Sequence, residues 1–185
     1  MYGKLGGLKK MKIYILGFMG CGKSTVGKRL AAYCGCSFVD TDELFSQRHN
    51  CSVKDYFDLY AEEKFRQEER KILHTTQLME NTVIAVGGGT PCFYDNMDWM
   101  LSHGLCVYLE MPPKALFNRL KNSKSERPVL QTGNLYENIQ ILISQREPYY
   151  QKANIAVSGL DVDILTLNEL ICQYVNEKKL PKNHE

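Results

Sequence analysis

Gly17-Phe18-Met19-Gly20-Cys21-Gly22-Lys23-Ser24 is the stretch that decides the fold. It satisfies G-x-x-x-x-G-K-[ST], directly after an apolar run at Lys12–Leu16 and directly before a segment of helical period. Glycines let the backbone curl until successive N–H groups face inward. The positive end of the following helix dipole tops that nest, so the loop suits a chain of phosphates. Lys23 then reaches the β- and γ-phosphates of a nucleotide, and the Ser24 hydroxyl completes the shell of Mg²⁺. A glycine-rich turn without a ligand is the alternative.

Outward from this loop, short apolar runs alternate with longer segments of helical period, the pattern of a parallel sheet covered by helices on both faces. The strands are read at 12–16, 37–39, 83–86, 105–109 and 154–157. One helix is expected at 23–33, with Gly35 just past it as a left-handed cap. Ser52 and Asp55 have capping-box spacing, and a longer helix is expected at 61–79. Pro112 and Pro113 suit the first turn of a helix near 114–121. Ile139, Leu142, Ile143 and Arg146 follow helical spacing up to Pro148, and Leu167, Leu170, Ile171 and Tyr174 outline a last amphipathic helix. The polar stretch 122–133 lacks apolar periodicity and reads as part of a mobile lid, taken as 118–133.

The 185 residues fit one domain, 1–185, with residues 1–10 as a flexible extension or Met11 as the start. At 44% hydrophobic and 24% charged residues the chain can bury a core, and its apolar runs fall short of the roughly 18–20 residues that cross a bilayer. A net charge of +2 is too small for a general nucleic-acid binder, so any anion site is local. Seven scattered cysteines without a C-x-x-C pair read as cytosolic thiols, and residues 1–10 lack the apolar block of an export signal, so a cytoplasmic protein is expected. His49, His74, His103 and His184 have no ligand spacing. Nothing in the sequence demands a dimer, and a monomer is expected.

Four further features bear on chemistry. Asp40-Thr41-Asp42 follows the second strand, where α/β sheets place their ligand loops. If the segment stays strand-like, both carboxylates face one side, one supporting hydrated Mg²⁺ and the other accepting a substrate hydroxyl; either could instead cap the next helix. Gly87, Gly88 and Gly89 remove three side chains where a ligand could approach the main chain. Arg66 and Glu69, three apart on a helix, can pair, as a solvated surface contact or as a fixed guanidinium. Arg146 continues an apolar helix face, so it either snorkels or points into a cleft. Arg127, in the lid, could close over the transferring phosphoryl group or remain solvated.

Taken together these residues resemble the shikimate kinases, over nearly the whole chain from about Met11 to the final helix. The resemblance is carried by G-x-x-x-x-G-K-S-T-x-G at 17–27, Asp40-Thr41-Asp42, Phe65-Arg66-x-x-Glu69, the Gly87 to Gly89 triplet, Arg127-Pro128-x-Leu130 and Arg146-x-Pro148-x-Tyr150. It implies a three-layer α/β/α P-loop sandwich with five parallel strands in the order 2-3-1-4-5. It also implies that Gly20, Cys21, Gly22, Lys23, Ser24 and Thr25 hold the phosphates of ATP, Ser24 and Asp40 serve Mg²⁺, and Asp42 binds shikimate hydroxyls as the base. Arg66, Arg146 and Gly88 would take shikimate, Arg127 would close over ATP, and Arg119 would pack against adenine. Two departures are Val86, where a Ser or Thr is common, and the lack of an arginine in 158–165. A gluconate kinase and a nucleotide-binding module without turnover are the rival readings.

Overall fold

The computed structural model describes residues 11–122 and 134–179. Five parallel strands, β1 Lys12–Leu16, β2 Ser37–Asp40, β3 Thr82–Ala85, β4 Leu105–Glu110 and β5 Ile155–Ser158, form one sheet in the order β2-β3-β1-β4-β5. The expected order is therefore the observed one. Alternation along β1 sorts its side chains: Ile13 and Ile15 join the apolar layer on one face, and Tyr14 and Leu16 the layer on the other. Each fully buried aliphatic side chain contributes about 1.5–3 kcal/mol, so β1, buried on both faces, anchors the sheet.

The helices are α1 Lys23–Cys34, α2 Thr41–His49, α3 Val53–Leu59, α4 Glu62–Thr75, α5 Asn96–His103, α6 Pro113–Lys121, α7 Leu135–Tyr150 and α8 Ile164–Lys179. On the Ile13 face pack Val26 and Leu30 of α1, Leu116 of α6, Ile139 of α7 and Leu167 of α8; on the other pack Leu73 of α4, Met97 and Met100 of α5, and Tyr150. A third cluster of Phe45, Tyr56, Phe65 and Ile72 ties α2, α3 and α4 together. Gly35 caps α1 at φ 69°, the left-handed conformation that lacks a Cβ penalty in glycine.

The helix pattern departs from the sequence reading at four points. The Ser52/Asp55 capping box opens a short helix of its own, α3, and the chain extends at Ala61 before α4 begins. That helix stops at Thr75, not 79, because the Thr75 and Thr76 hydroxyls donate to the carbonyls of Ile72 and Leu73 and a 3₁₀ turn follows. Segment α2 carries too few apolar residues to show a helical period, burying only Thr41 and Phe45, and α5, at eight residues, is too short to repeat one. Helix α7 runs through Pro148 to Tyr150, because Tyr150, fully buried, is held in the core beyond the proline.

The register brings the functional loops level. Ile15 lies opposite Ala85, and Ala85 opposite Asp40, so the carboxyl ends of β1, β3 and β2 open side by side. From those ends emerge the glycine loop after β1, the Gly triplet after β3 and the Asp40-Thr41-Asp42 run after β2.

Candidate active site

The loop between β1 and α1 has the conformation its sequence requires. Gly17, Gly20 and Gly22 have φ of 142°, 79° and 101°, and only glycine takes such values without strain. Gly22 sits at the N-cap of α1 with no side-chain cap, which leaves the helix mouth to main-chain N–H groups. Lys23 Nζ donates to the carbonyls of Gly17 and Phe18 at 3.0 and 3.1 Å, bent back across its own loop.

Ser24 and Asp40 meet at that mouth, where Ser24 Oγ donates to Asp40 Oδ2 at 2.5 Å. The other carboxylate oxygen, Oδ1, accepts from Asp42 N at 3.0 Å and caps α2. The capping alternative and the site reading thus hold together for Asp40. The strand-like reading of the tripeptide is corrected: Asp42 lies in the first turn of α2, because the Asp40 cap starts a helix there. One hydroxyl and one carboxylate are hard oxygen donors, few in number, and so fit Mg²⁺, which keeps several of its waters. Val86 is 1% exposed within the core layer of Tyr14, Leu16 and Tyr150 and supplies no hydroxyl to that shell.

Each glycine of the triplet is demanded by a different neighbour. A Cβ on Gly87 would lie 2.7 Å from Glu69 Oε1 and 3.0 Å from Asp42 Oδ1, one on Gly88 2.9 Å from Met19 N, and one on Gly89 2.8 Å from Arg66 Nη1. The triplet is therefore the place where the glycine loop, α2 and α4 converge on the end of β3. Gly89→Ala is expected to push the end of a side chain, Arg66, and to raise the KM for an acceptor carboxylate about tenfold while sparing ATP. Gly88→Ala meets main chain of the nucleotide loop and should weaken both ligands. Steady-state kinetics with each substrate varied checks the contrast, and equal effects of the two variants on ATP would contradict it.

Arg66 and Arg146 both face this convergence. Arg66 is 4% exposed; its Nη1 donates to Glu69 at 2.9 Å, its Nε and Nη2 to Glu62 at 3.2 and 3.0 Å, and it lies over Phe93 with 4.1 Å from Cζ to the ring centre. Glu69 in turn accepts from Thr90 Oγ1 at 2.7 Å. The surface ion-pair alternative is thereby ruled out: a buried pair whose partner is removed costs about 3–5 kcal/mol, against under about 1 for a solvated one. Arg146, 6% exposed, lies over Phe18 at 5.4 Å and donates to the Gly88 carbonyl at 3.4 Å, so it points into the cleft. Burial pushes the Cys92 thiol up to about 11, although Arg146 and Arg66 both pull it down.

A cavity of about 870 Å³ joins these groups: Gly20, Gly22, Lys23, Ser24, Thr25, Asp40, Asp42, Arg66, Gly88 and Arg146 all line it. Cys21, 1% exposed, sits behind the loop with its side chain in the core and contributes main chain only. Arg119 donates to the carbonyl of Cys21 at 3.1 Å and, at 3.5 Å, to those of Gly20, Gly159 and Leu160. It ties the 159–160 segment to the nucleotide loop. Arg127 and residues 123–133 of the expected lid lie outside the described residues, as do residues 1–10. Sequence reasoning missed three supports: Thr41, whose Oγ1 accepts from Gly87 N at 3.1 Å, Thr90, and Phe93 beneath Arg66. Only Thr41, flanked by two aspartates, carried a signal.

Among the described residues no helix is long and apolar enough to cross a membrane, and no group of three or more His, Cys, Asp or Glu could hold a metal alone. Residues 19–175 match a family model described as shikimate kinase. A shikimate kinase of Parabacteroides distasonis is 40% identical over 148 residues, 78% of this chain and 85% of its own. One from Azobacteroides pseudotrichonymphae is 38% identical over 175 residues, 92% of this chain and 98% of its own. The solved shikimate kinase of Acinetobacter baumannii in complex with shikimate superposes with a TM-score of 0.85 at 28% identity, covering 97% of this chain and all of that one. With the match running from the nucleotide loop to the last helix, this chain belongs to the shikimate kinase family of ATP- and Mg²⁺-dependent kinases.

Proposed function

We propose that the chain transfers the γ-phosphoryl group of MgATP to the 3-hydroxyl of shikimate, giving shikimate 3-phosphate and ADP on the route to aromatic amino acids. One observation carries the reading: two buried guanidiniums, Arg66 and Arg146, face the same cavity as Lys23 and Asp42. A carboxylate on the arginines and hydroxyls at Asp42 would hold a carboxylated polyol with one oxygen turned toward the phosphate loop. Asp42 orients that hydroxyl and takes its proton as the oxygen attacks phosphorus. Main-chain N–H groups of Gly20 to Thr25 hold the phosphates, and Lys23 neutralises charge gathering on the transferred group. Ser24, and Asp40 through water, would hold Mg²⁺, which would supply charge neutralisation to the nucleotide phosphates. Arg127 is assigned the same task from the lid, and Arg119 the adenine. A monomer in the cytoplasm completes the reading.

A coupled ADP-release assay over a panel of acids tests the assignment. Turnover with shikimate and little with gluconate is expected; strong turnover of gluconate alone, or ATP binding without turnover on any acid, would replace it with one of the two rival readings. Arg146→Lys should raise the shikimate KM by roughly 10–100-fold and the ATP KM little, because a point charge replaces a planar fork. Equal losses for both ligands would remove Arg146 from the acceptor site.

A further inference from the structure

Tyr150 has a role that neither its burial nor the kinase reaction yet accounts for. Its side chain is 0% exposed, its ring stacks on Tyr108 with centroids 5.1 Å apart, and its hydroxyl donates to the Gly88 carbonyl at 2.5 Å. Arg146 donates to that same carbonyl at 3.4 Å, so one oxygen takes both the phenol and the guanidinium. The Gly88 carbonyl is thus the shared acceptor of two groups that α7 carries four residues apart. Burial drives the phenol's pKa up, so it stays a neutral donor across the working pH range.

The shared carbonyl matters because of the peptide it belongs to. A Gly-Gly peptide lacks both Cβ atoms and turns more easily than any other. Its plane is rigid, so fixing the Gly88 oxygen fixes the direction of the Gly89 N–H. Arg146 alone, at 3.4 Å, is a weak tether for that oxygen; the phenol is a short one. By taking the Gly88 oxygen at short range, the hydroxyl also fixes the acceptor to which Arg146 donates, and so the seat of that guanidinium.

We propose that Tyr150 is a positioning residue for the acceptor carboxylate, acting through the Gly88 carbonyl and the Arg146 guanidinium without touching substrate itself. The inference rests on the shikimate reading above and deepens it, since it assigns to one buried hydroxyl the joint orientation of the Gly88–Gly89 peptide and the Arg146 guanidinium. A purely structural role would reside in the ring, which fills the layer of Tyr14, Leu16 and Val86.

Tyr150→Phe separates the two roles, because it keeps the ring and removes the oxygen. The expected result is a shikimate KM raised roughly tenfold, an ATP KM within about twofold of wild type and a melting temperature within a few degrees, the loss being one hydrogen bond to a site group. Tyr108→Phe, which removes a hydroxyl from the stacked partner ring, should leave the shikimate KM unchanged. A shikimate KM unchanged in Tyr150→Phe, or ATP and shikimate KM values rising together, would overturn the proposal. If that variant does not fold, Tyr150→4-fluorophenylalanine fills the hydroxyl's volume without a donor and is read in the same way; failure of both to fold would make the hydroxyl a folding determinant and overturn the proposal. Wild-type turnover is measured first. A wild-type enzyme inert toward shikimate sinks the functional reading and this inference with it, whereas an active wild type with an unaffected variant sinks the inference alone.

Discussion

Lys23→Ala is expected to lower shikimate-dependent ADP release by roughly 10²–10³-fold in kcat, the range found when one preorganised donor to a developing charge is removed. The side chain lies across the nucleotide loop, bonded to two carbonyls of that loop. It is part of no apolar layer, so its truncation should leave the melting temperature within a few degrees of wild type. Nucleotide binding should persist in weakened form, because the main-chain N–H groups of the loop and the mouth of α1 remain. Binding by calorimetry together with turnover gives the decisive comparison. Full retention of kcat would mean that Lys23 stays folded over its own carbonyls during turnover, and the phosphoryl-transfer role given to it would fail.

Asp42→Asn should have an effect of similar or greater size for a different reason. An amide keeps the shape and can still accept a hydrogen bond from a substrate hydroxyl, but it cannot take the proton. A fall in kcat of about 10²–10⁴ is expected, with the shikimate KM changed only a few fold. Helix α2 should survive intact, since its cap is the Asp40 carboxylate, which accepts from the backbone of residue 42 and not from its side chain. Circular dichroism and kcat measured on the same preparation separate chemistry from folding. A variant that keeps its kcat and loses only shikimate affinity would reassign Asp42 from base to binding group.

The two substitutions also show which kinds of signal a sequence carries. The nucleotide loop was legible because everything it needs is local: three glycines at positive φ, a lysine and a serine lie within eight consecutive residues. The strand order was legible only through family resemblance, since periodicity marks strands and leaves their neighbours open. Asp40 was ambiguous between cap and metal support, and the structure shows why no local rule could choose: one oxygen faces Asp42 N and the other Ser24. Helices α2 and α5 went unread because α2, started by its Asp40 cap, buries a single apolar residue, Phe45, and α5 spans only eight residues, too few to repeat a period.

What the sequence by itself determined, then, is the phosphate-binding apparatus, the alternation that builds a two-faced parallel sheet, and the residue types an acidic acceptor requires. What only the tertiary structure decided is the meaning of the charges. Arg66 and Glu69 would be a surface pair on an isolated helix. Phe93, Thr90 and Gly89 turn them into a buried, oriented group. Arg146 becomes a cleft residue because Phe18 and Gly88, from distant segments, close around it. The physical reason is that backbone conformation is set over a few residues, whereas the solvation of a charge depends on every segment packed near it, and that neighbourhood exists only once the chain has folded.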